Sequence, residues 1–175
     1  MSLVAGDEDG VHYIPLSGRN SDLEQMLQYV FKRAQPDGAK SNGNRVFEYI
    51  ARNIKRKMIL VVITDTEAID DAQALLLRRL RAQHEVLFVH IEDFDPTNPE
   101  HIKDELYDIQ DPVLLPSFIR RNKDLKAELE QSYEARKASN QKALQRLGIN
   151  NIHITSEQDV IPKLFLLLEK QRHAK

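Results

Sequence analysis

Fourteen residues near the middle of the chain, "MILVVITDTEAIDD" (residues 58–71), decide the fold class. The first six are all apolar, and the character of the sequence changes at Thr64 and Asp65. An apolar run of this length is typical of a strand that is buried on both faces of a sheet. In α/β proteins, ligands bind at the carboxyl ends of such strands. The stretch therefore raises the question whether Asp65 takes part in chemistry or only ends a strand.

The sequence on both sides of this stretch predicts an α/β protein. Two more strands follow it, "EVLFVHI" (residues 85–91) and "NIHIT" (residues 151–155), with helical patterns between and after them. This alternation predicts a doubly wound, mostly parallel, Rossmann-like sheet. Residues 3–16 precede it as an N-terminal hairpin with a turn at 6–10, since glycine and aspartate tolerate positive φ. The first two helical stripes are Leu23, Met26, Leu27, Val30 and Phe31, and Val46, Phe47, Ile50, Ala51 and Ile54.

Composition limits the class of protein further. The 175 residues suit a single domain, residues 1–175, and the net charge of −2 points neither to nucleic acid nor to an acidic membrane surface. Without cysteine the chain has no disulfide, no thiolate metal site and no cysteine nucleophile. No apolar run reaches the roughly 20 residues that a membrane-spanning helix needs. We therefore expect a cytoplasmic protein without a membrane segment in this chain.

Three acidic or polar groups lie at the carboxyl ends of the predicted strands: Asp65, the corner that begins at Glu92, and Thr155. A hard dication needs several oxygen ligands, and one carboxylate does not supply them. We therefore favour a structural role, in which Asp65 ends the strand and, with Thr64 or Thr66, caps the next helix.

The corner itself contains Glu92, Asp93 and Asp95. We favour a solvated, flexible loop there, and the alternative is a weak cation site. No histidine spacing is typical of zinc, and no nucleophile elbow or phosphate loop is present. These negative results predict that the protein is not an enzyme.

A long charged helix is predicted over residues 120–147, with Gly148 as its C-cap. Its first residues are basic, whereas residues 92–111 are strongly acidic. We favour the interpretation that the two segments face each other or face water. The alternative is that the helix docks a partner. Ser156 is predicted to cap the last helix, which has Pro162 in its first turns, where proline is tolerated.

At this point a family resemblance is visible. The stretch "KRKMILVVITDTEAID", followed by "LLLRRLRAQHEVLFVHIEDFDP", resembles the von Willebrand factor A-like domain of the bacterial domain-of-unknown-function family fifty-eight. The earlier "YIPLSGRNSDLEQML" and the charged helix with Tyr133 are similar as well, so the resemblance covers nearly the whole chain. It implies a von Willebrand A-like fold for the predicted sheet.

The resemblance also implies a function. It implies a non-catalytic protein-interaction or scaffold module that works with a MoxR-type AAA+ ATPase in the assembly or maturation of other proteins. Many full-length members carry transmembrane helices, so the domain is expected either free in the cytoplasm or as the membrane-tethered soluble part of a larger protein. The alternative is a metal-dependent enzyme or small-molecule binder with a site at the strand ends.

Metal-binding A domains use an Asp-x-Ser-x-Ser motif, a threonine and a later aspartate. The resemblance places Asp65 at the last position and Ser41 near the threonine, whereas the motif itself is absent. The resemblance therefore implies an incomplete metal site at Asp65 and Ser41, with no cofactor in this chain and Mg²⁺ or Mn²⁺ in a complete parent domain.

The chain accordingly resembles an A domain that is N-terminally truncated and lacks its first, central strand. Loss of that strand leaves hydrogen-bonding edges exposed. We predict either that the hairpin pairs directly with the strand that begins at Met58, or that strands are exchanged between molecules in a homo-oligomer.

Overall fold

The structure, a computed structural model, describes residues 1–15, 20–33, 40–65, 68–92 and 123–173. The predicted loops near residues 17–19 and 36–38, and Asp93 and Asp95, lie outside the described residues. In chain order the elements are β1 (Leu3–Asp7), β2 (Gly10–Ile14), α1 (Asn20–Arg33), α2 (Gly43–Asn53), β3 (Ile59–Thr64), α3 (Asp71–Gln83), β4 (Glu85–Ile91), α4 (Lys123–Arg146), β5 (Asn150–Ile154), a 3-10 turn (Glu157–Asp159) and α5 (Val160–His173).

The main sheet consists of β3, β4 and β5 in that order, and both pairs of neighbours are parallel. β4 lies between the other two strands, and its residues from Val86 to His90 are buried. In the register of the sheet, Thr64 pairs with His90, and His90 pairs with His153. The structure therefore confirms the predicted parallel α/β sheet, with strand bounds within one residue of those read from the sequence.

Helices cover both faces of this sheet, because alternate residues of β4 enter two separate hydrophobic cores. Val86 and Phe88 pack against α2, α3 and α4, with Leu80 and Leu144 fully buried. Leu87 and Val89 on the opposite face belong to a second core that contains residues of α5. This arrangement is the doubly wound, Rossmann-like layering that the sequence predicts.

The N-terminal hairpin forms a sheet of its own, separate from β3–β4–β5. Its turn is stabilised by Asp7, whose Oδ1 accepts hydrogen bonds from the backbone N–H groups of Asp9 and Gly10. The hairpin packs on α2 closely enough that a Cβ on Gly6 would lie 2.6 Å from the side chain of Val46. The prediction that the hairpin pairs with β3 is therefore wrong, because β1 and β2 bury their inner face against α2 instead.

Helix termini agree only partly with the sequence analysis. The N-cap of α3 is Asp70, whose Oδ1 accepts a hydrogen bond from Gln73 N at 2.6 Å, so the prediction that Asp65 with Thr64 or Thr66 caps this helix is wrong. The chain needs five further residues after Asp65 before the helix begins. Gly148 ends α4 with a φ of +65°, as a C-terminal glycine in the left-handed region does.

The apolar stripe of α1 is largely uncovered. Met26 is buried, whereas Leu23, Leu27, Val30 and Phe31 are exposed by 44%, 62%, 44% and 75%. The periodicity predicted the helix, and the structure adds that most of its apolar face meets solvent. Such a stripe on a folded domain is unusual enough to require a functional explanation.

Candidate functional site

The carboxyl ends of β3, β4 and β5 bring polar side chains to one edge of the sheet. Glu92 follows β4, and its backbone N–H donates to the carbonyl of Ile154, which extends the ladder with β5 by one residue. Its side chain is 4% exposed, although this residue was predicted to lie in a solvated, flexible loop. That prediction is wrong for Glu92, because the extra ladder bond carries the residue into the fold beneath α4.

Two basic side chains meet the Glu92 carboxylate. Lys137 Nζ lies 3.2 Å from Oε1 and donates to Oε2 at 3.3 Å, and His153 Nδ1 lies 2.5 Å from Oε1. Lys137 belongs to α4 and remains 31% exposed, whereas His153 belongs to β5 and is 18% exposed. The carboxylate therefore joins the sheet to the long helix through one buried polar contact.

Burial raises the pKa of Glu92, but hydrogen bonds from Lys137 and Tyr133 and the charge of Lys137 outweigh it, so that the pKa lies below its usual range. Burial likewise lowers the pKa of His153, and the opposing attraction of Glu92 does not cancel that effect. At neutral pH the pair is therefore an ionised carboxylate and a neutral imidazole. Since a carboxylate only accepts hydrogen bonds, His153 Nδ1 carries the proton and donates it to Glu92, and Nε2 keeps its lone pair.

His90 lies directly beside this pair. Its ring stacks on that of His153, with centroids 4.7 Å apart and an angle of 16° between the planes. His90 Nδ1 lies 3.3 Å from the backbone oxygen of Asp65 and donates to it, whereas Nε2 is buried with no hydrogen-bond partner. Burial lowers the pKa of His90, so the ring is neutral and presents a second imidazole lone pair beside the first.

The two metal positions implied by the family resemblance lie on different elements. Asp65 follows β3, with Thr64 Oγ1 donating to its Oδ1 at 3.4 Å. Ser41 lies in an isolated β-bridge with Asp7, next to the hairpin. Within the part of the chain that the structure describes, no cluster of three or more histidine, aspartate or glutamate residues could hold a metal ion. The metal role of Asp65 and Ser41 stays a prediction.

Sequence reasoning missed the contribution of α4 to this edge. The face of α4 that packs on the sheet carries Tyr133, Lys137, Asn140 and Leu144, at helical spacing, and the first three are polar. Asn140 is 2% exposed, and its Oδ1 accepts a hydrogen bond from Ile69 N at 2.9 Å. A search for apolar periodicity does not detect such a face. The only available signal was the spacing of Tyr133, Lys137 and Leu144 along one side of the helix.

A second notable surface is apolar and lies on β3. Ile59, Val61 and Ile63 point to the face that α5 covers over β4, and they are 61%, 51% and 64% exposed. The alternate residues Leu60 and Val62 pack on the other core. β3 therefore has one covered face and one open apolar face, and the prediction that this strand is buried on both faces is wrong.

The fold and these surfaces define a parallel α/β domain with a buried polar cluster at one sheet edge and uncovered apolar surfaces elsewhere. The family model described as Protein of unknown function DUF58 matches residues 1–142, and the chain therefore belongs to this family. Comparison with curated proteins found no match, and comparison with solved structures found none. Among the described helices, none has the length and apolar character to cross a membrane.

Proposed function

We propose that this chain is a von Willebrand A-like, non-catalytic protein-interaction module, which works with a MoxR-type AAA+ ATPase in the assembly or maturation of other proteins. The observation that supports an interaction role is the exposed apolar stripe of α1. Leu23, Leu27, Val30 and Phe31 occupy positions i, i+4, i+7 and i+8, the spacing by which an amphipathic helix anchors itself in an apolar groove.

The domain holds α1 in place from the adjacent side of the helix. Tyr29 stacks on His12 of the hairpin with ring centroids 4.4 Å apart, and Arg33 forms ion pairs with Asp7 and Asp9. A helix that is already ordered loses less conformational entropy on binding than a disordered segment does. The stripe is therefore presented to a partner without further folding. The class of partner, an AAA+ ATPase, comes from the family resemblance.

The test uses the purified chain, a purified MoxR-type AAA+ ATPase and isothermal titration calorimetry. The double variant Leu27→Asp, Phe31→Asp places two charges in the stripe, and we expect the affinity to fall by about 100-fold, since each buried aromatic or aliphatic anchor contributes strongly. The matched control Gln25→Asp, Gln28→Asp adds the same charge to exposed polar positions of the same helix. Equal affinity of the double variant and the control, or no binding by the parent chain, would contradict the proposal.

The second candidate function is binding of a small molecule or metal ion at the strand ends, and the paired imidazoles favour it. His90 Nε2 is a buried acceptor without a partner, and His153 Nε2 keeps its lone pair. Nitrogen donors suit transition metals rather than Mg²⁺. A ligand that binds only the folded chain raises its melting temperature. We expect millimolar Mg²⁺ to leave the melting temperature unchanged, and a rise with Zn²⁺ that His90→Phe abolishes would favour this candidate over the first.

A further inference from the structure

The outer edge of β3 is open in the part of the chain that the structure describes, where β3 pairs with β4 alone. Its residues 59–64, "ILVVIT", include no charge, no proline and no glycine. Natural proteins protect exposed strand edges with such residues, with bulges or with a covering element. The unprotected edge therefore carries the backbone groups and the β-branched side chains that favour pairing with another strand.

The open face of β3 continues onto α5. Val160, Leu164 and Leu167 pack on the sheet, and the residues one position further along the helix, Ile161, Phe165 and Leu168, are exposed by 62%, 65% and 53%. Connections between parallel strands are right-handed, and so is the helix. Because the handedness of the connections and of the helix is fixed, each residue that directly follows a packed residue of α5 lies on the side of the helix that faces β3. The apolar row of β3 and this stripe of α5 thus form the floor and one wall of a single surface.

We propose that this surface is the interface for a second copy of the chain, with the two β3 strands pairing antiparallel around a two-fold axis at Val61. In an antiparallel pair, directly opposed residues point to the same face of the sheet. Val61 then lies opposite Val61 of the second copy, and Ile59 lies opposite Ile63 of the second copy. The two open faces become one continuous apolar surface, flanked by the α5 stripes of both copies.

The register with the axis at Val61 also brings opposite charges together. With the axis at Val61, Lys57 lies opposite Asp65 of the second copy, and the pair occurs twice because the interface is isologous. Lys57 is 71% exposed, and its Nζ lies 3.6 Å from Glu85 Oε1 on β4, so the side chain must turn from β4 to the outer edge of β3 to reach the second copy. An axis at Val62 separates Lys57 from Asp65, and the charge-swap variants below distinguish the two registers. With an axis between Val61 and Val62, the exposed apolar residues of one β3 would lie opposite the core-facing residues of the other, so the two open faces would not join.

This interface involves β3 and α5 and not α1, and it is therefore independent of the AAA+ partner. The absence of cysteine from the chain permits a direct test of the register. In the variant Val61→Cys, the thiols of two copies would meet at the axis, since opposed Cβ atoms lie about 4.5–5.5 Å apart, near the span of a disulfide. We expect mild oxidation at about 50 µM protein to give a covalent dimer. The control Leu75→Cys places a thiol at an exposed apolar position of α3, 66% exposed, outside the surface.

Sedimentation equilibrium of the chain without cysteine provides the second measurement. We expect a monomer–dimer equilibrium that Val61→Lys shifts to monomer, and that Lys57→Asp or Asp65→Lys weakens by about tenfold each through like-charge opposition. The double variant Lys57→Asp, Asp65→Lys restores the opposed signs and should recover the dimer to within about threefold, with circular dichroism confirming the fold of every variant. A parent chain that is monomeric at 100 µM, or a Val61→Cys variant that crosslinks no faster than Leu75→Cys, overturns the proposal. Weakening without rescue by the double variant overturns the register.

Discussion

The buried contact of Glu92 with Lys137 and His153 permits a prediction with a worked magnitude. Glu92→Gln keeps the shape of the side chain and removes its charge. Loss of one partner from a buried pair costs roughly 3–5 kcal/mol, because the other charge remains buried. Lys137 is 31% exposed and can turn towards water, so we expect about 2 kcal/mol at pH 7. For a chain of this length that corresponds to a decrease of about 4–8 °C in melting temperature.

The effect must depend on pH with a defined sign. Because the pKa of Glu92 is lowered in the folded state, its stabilising contribution is full above the ordinary value of 4.5 and is lost as the pH falls through the lower folded value. The free energies of unfolding of parent and Glu92→Gln should therefore differ most at pH 7 and converge below pH 4.5. Lys137→Met combined with Glu92→Gln should reveal a coupling free energy of about 1–2 kcal/mol in a double-mutant cycle.

The assay is urea unfolding followed by circular dichroism, since the chain has no tryptophan. Glu169→Gln, at an exposed position of α5, removes the same charge without a buried partner and should change the free energy by less than about 0.5 kcal/mol. The reasoning fails if Glu92→Gln behaves like this control at pH 7, or if its cost is the same at pH 7 and pH 4.

Three further predictions concern other parts of the fold. Asp70→Ala removes the side-chain cap of α3 and should cost about 0.5–2 kcal/mol in urea unfolding. Ser156, which the sequence predicts to cap the last helix, makes no side-chain cap bond and hydrogen-bonds the Asp159 side chain instead, so Ser156→Ala should cost less than Asp70→Ala; equal costs would contradict the cap assignment of Asp70. Gly6→Ala forces a Cβ against Val46 and should lower stability by about 1–3 kcal/mol, while Gly43→Ala, whose Cβ would meet only ordinary contacts at 3.8 Å or beyond, should not; a neutral Gly6→Ala would show that the hairpin moves freely on α2. Three histidines, two of them buried and one half-buried, have pKa values lowered mainly by burial. The unfolded chain therefore takes up their protons first, and the free energy of unfolding should fall as the pH drops below about 6.5; a flat profile between pH 7 and pH 5 would contradict this assignment. They are His84, His90 and His153.

The sequence predicted the parts of this fold whose physical cause is local. A strand buried on both faces must be apolar at nearly every position, and 85–91 was therefore recognised with its observed bounds. The hairpin turn and the helix-ending Gly148 were recognised from residues that tolerate positive φ. The packing of the hairpin was not predictable in this way, because it depends on which apolar face of α2 remains free after the sheet has formed.

The candidate site shows the same division between local and tertiary causes. Asp65 interrupts an apolar run and so is a candidate site residue in the sequence, yet the atom that it contributes to the polar cluster is a backbone oxygen, which every residue has. Glu92 looked like the start of a solvated loop because its own neighbours in sequence are polar. Its buried charge is compensated by Lys137, 45 residues later, on the polar face of α4. Burial of a charged side chain is tolerated only when its partner lies beside it, so neither residue is recognisable as buried until the fold has brought the two together.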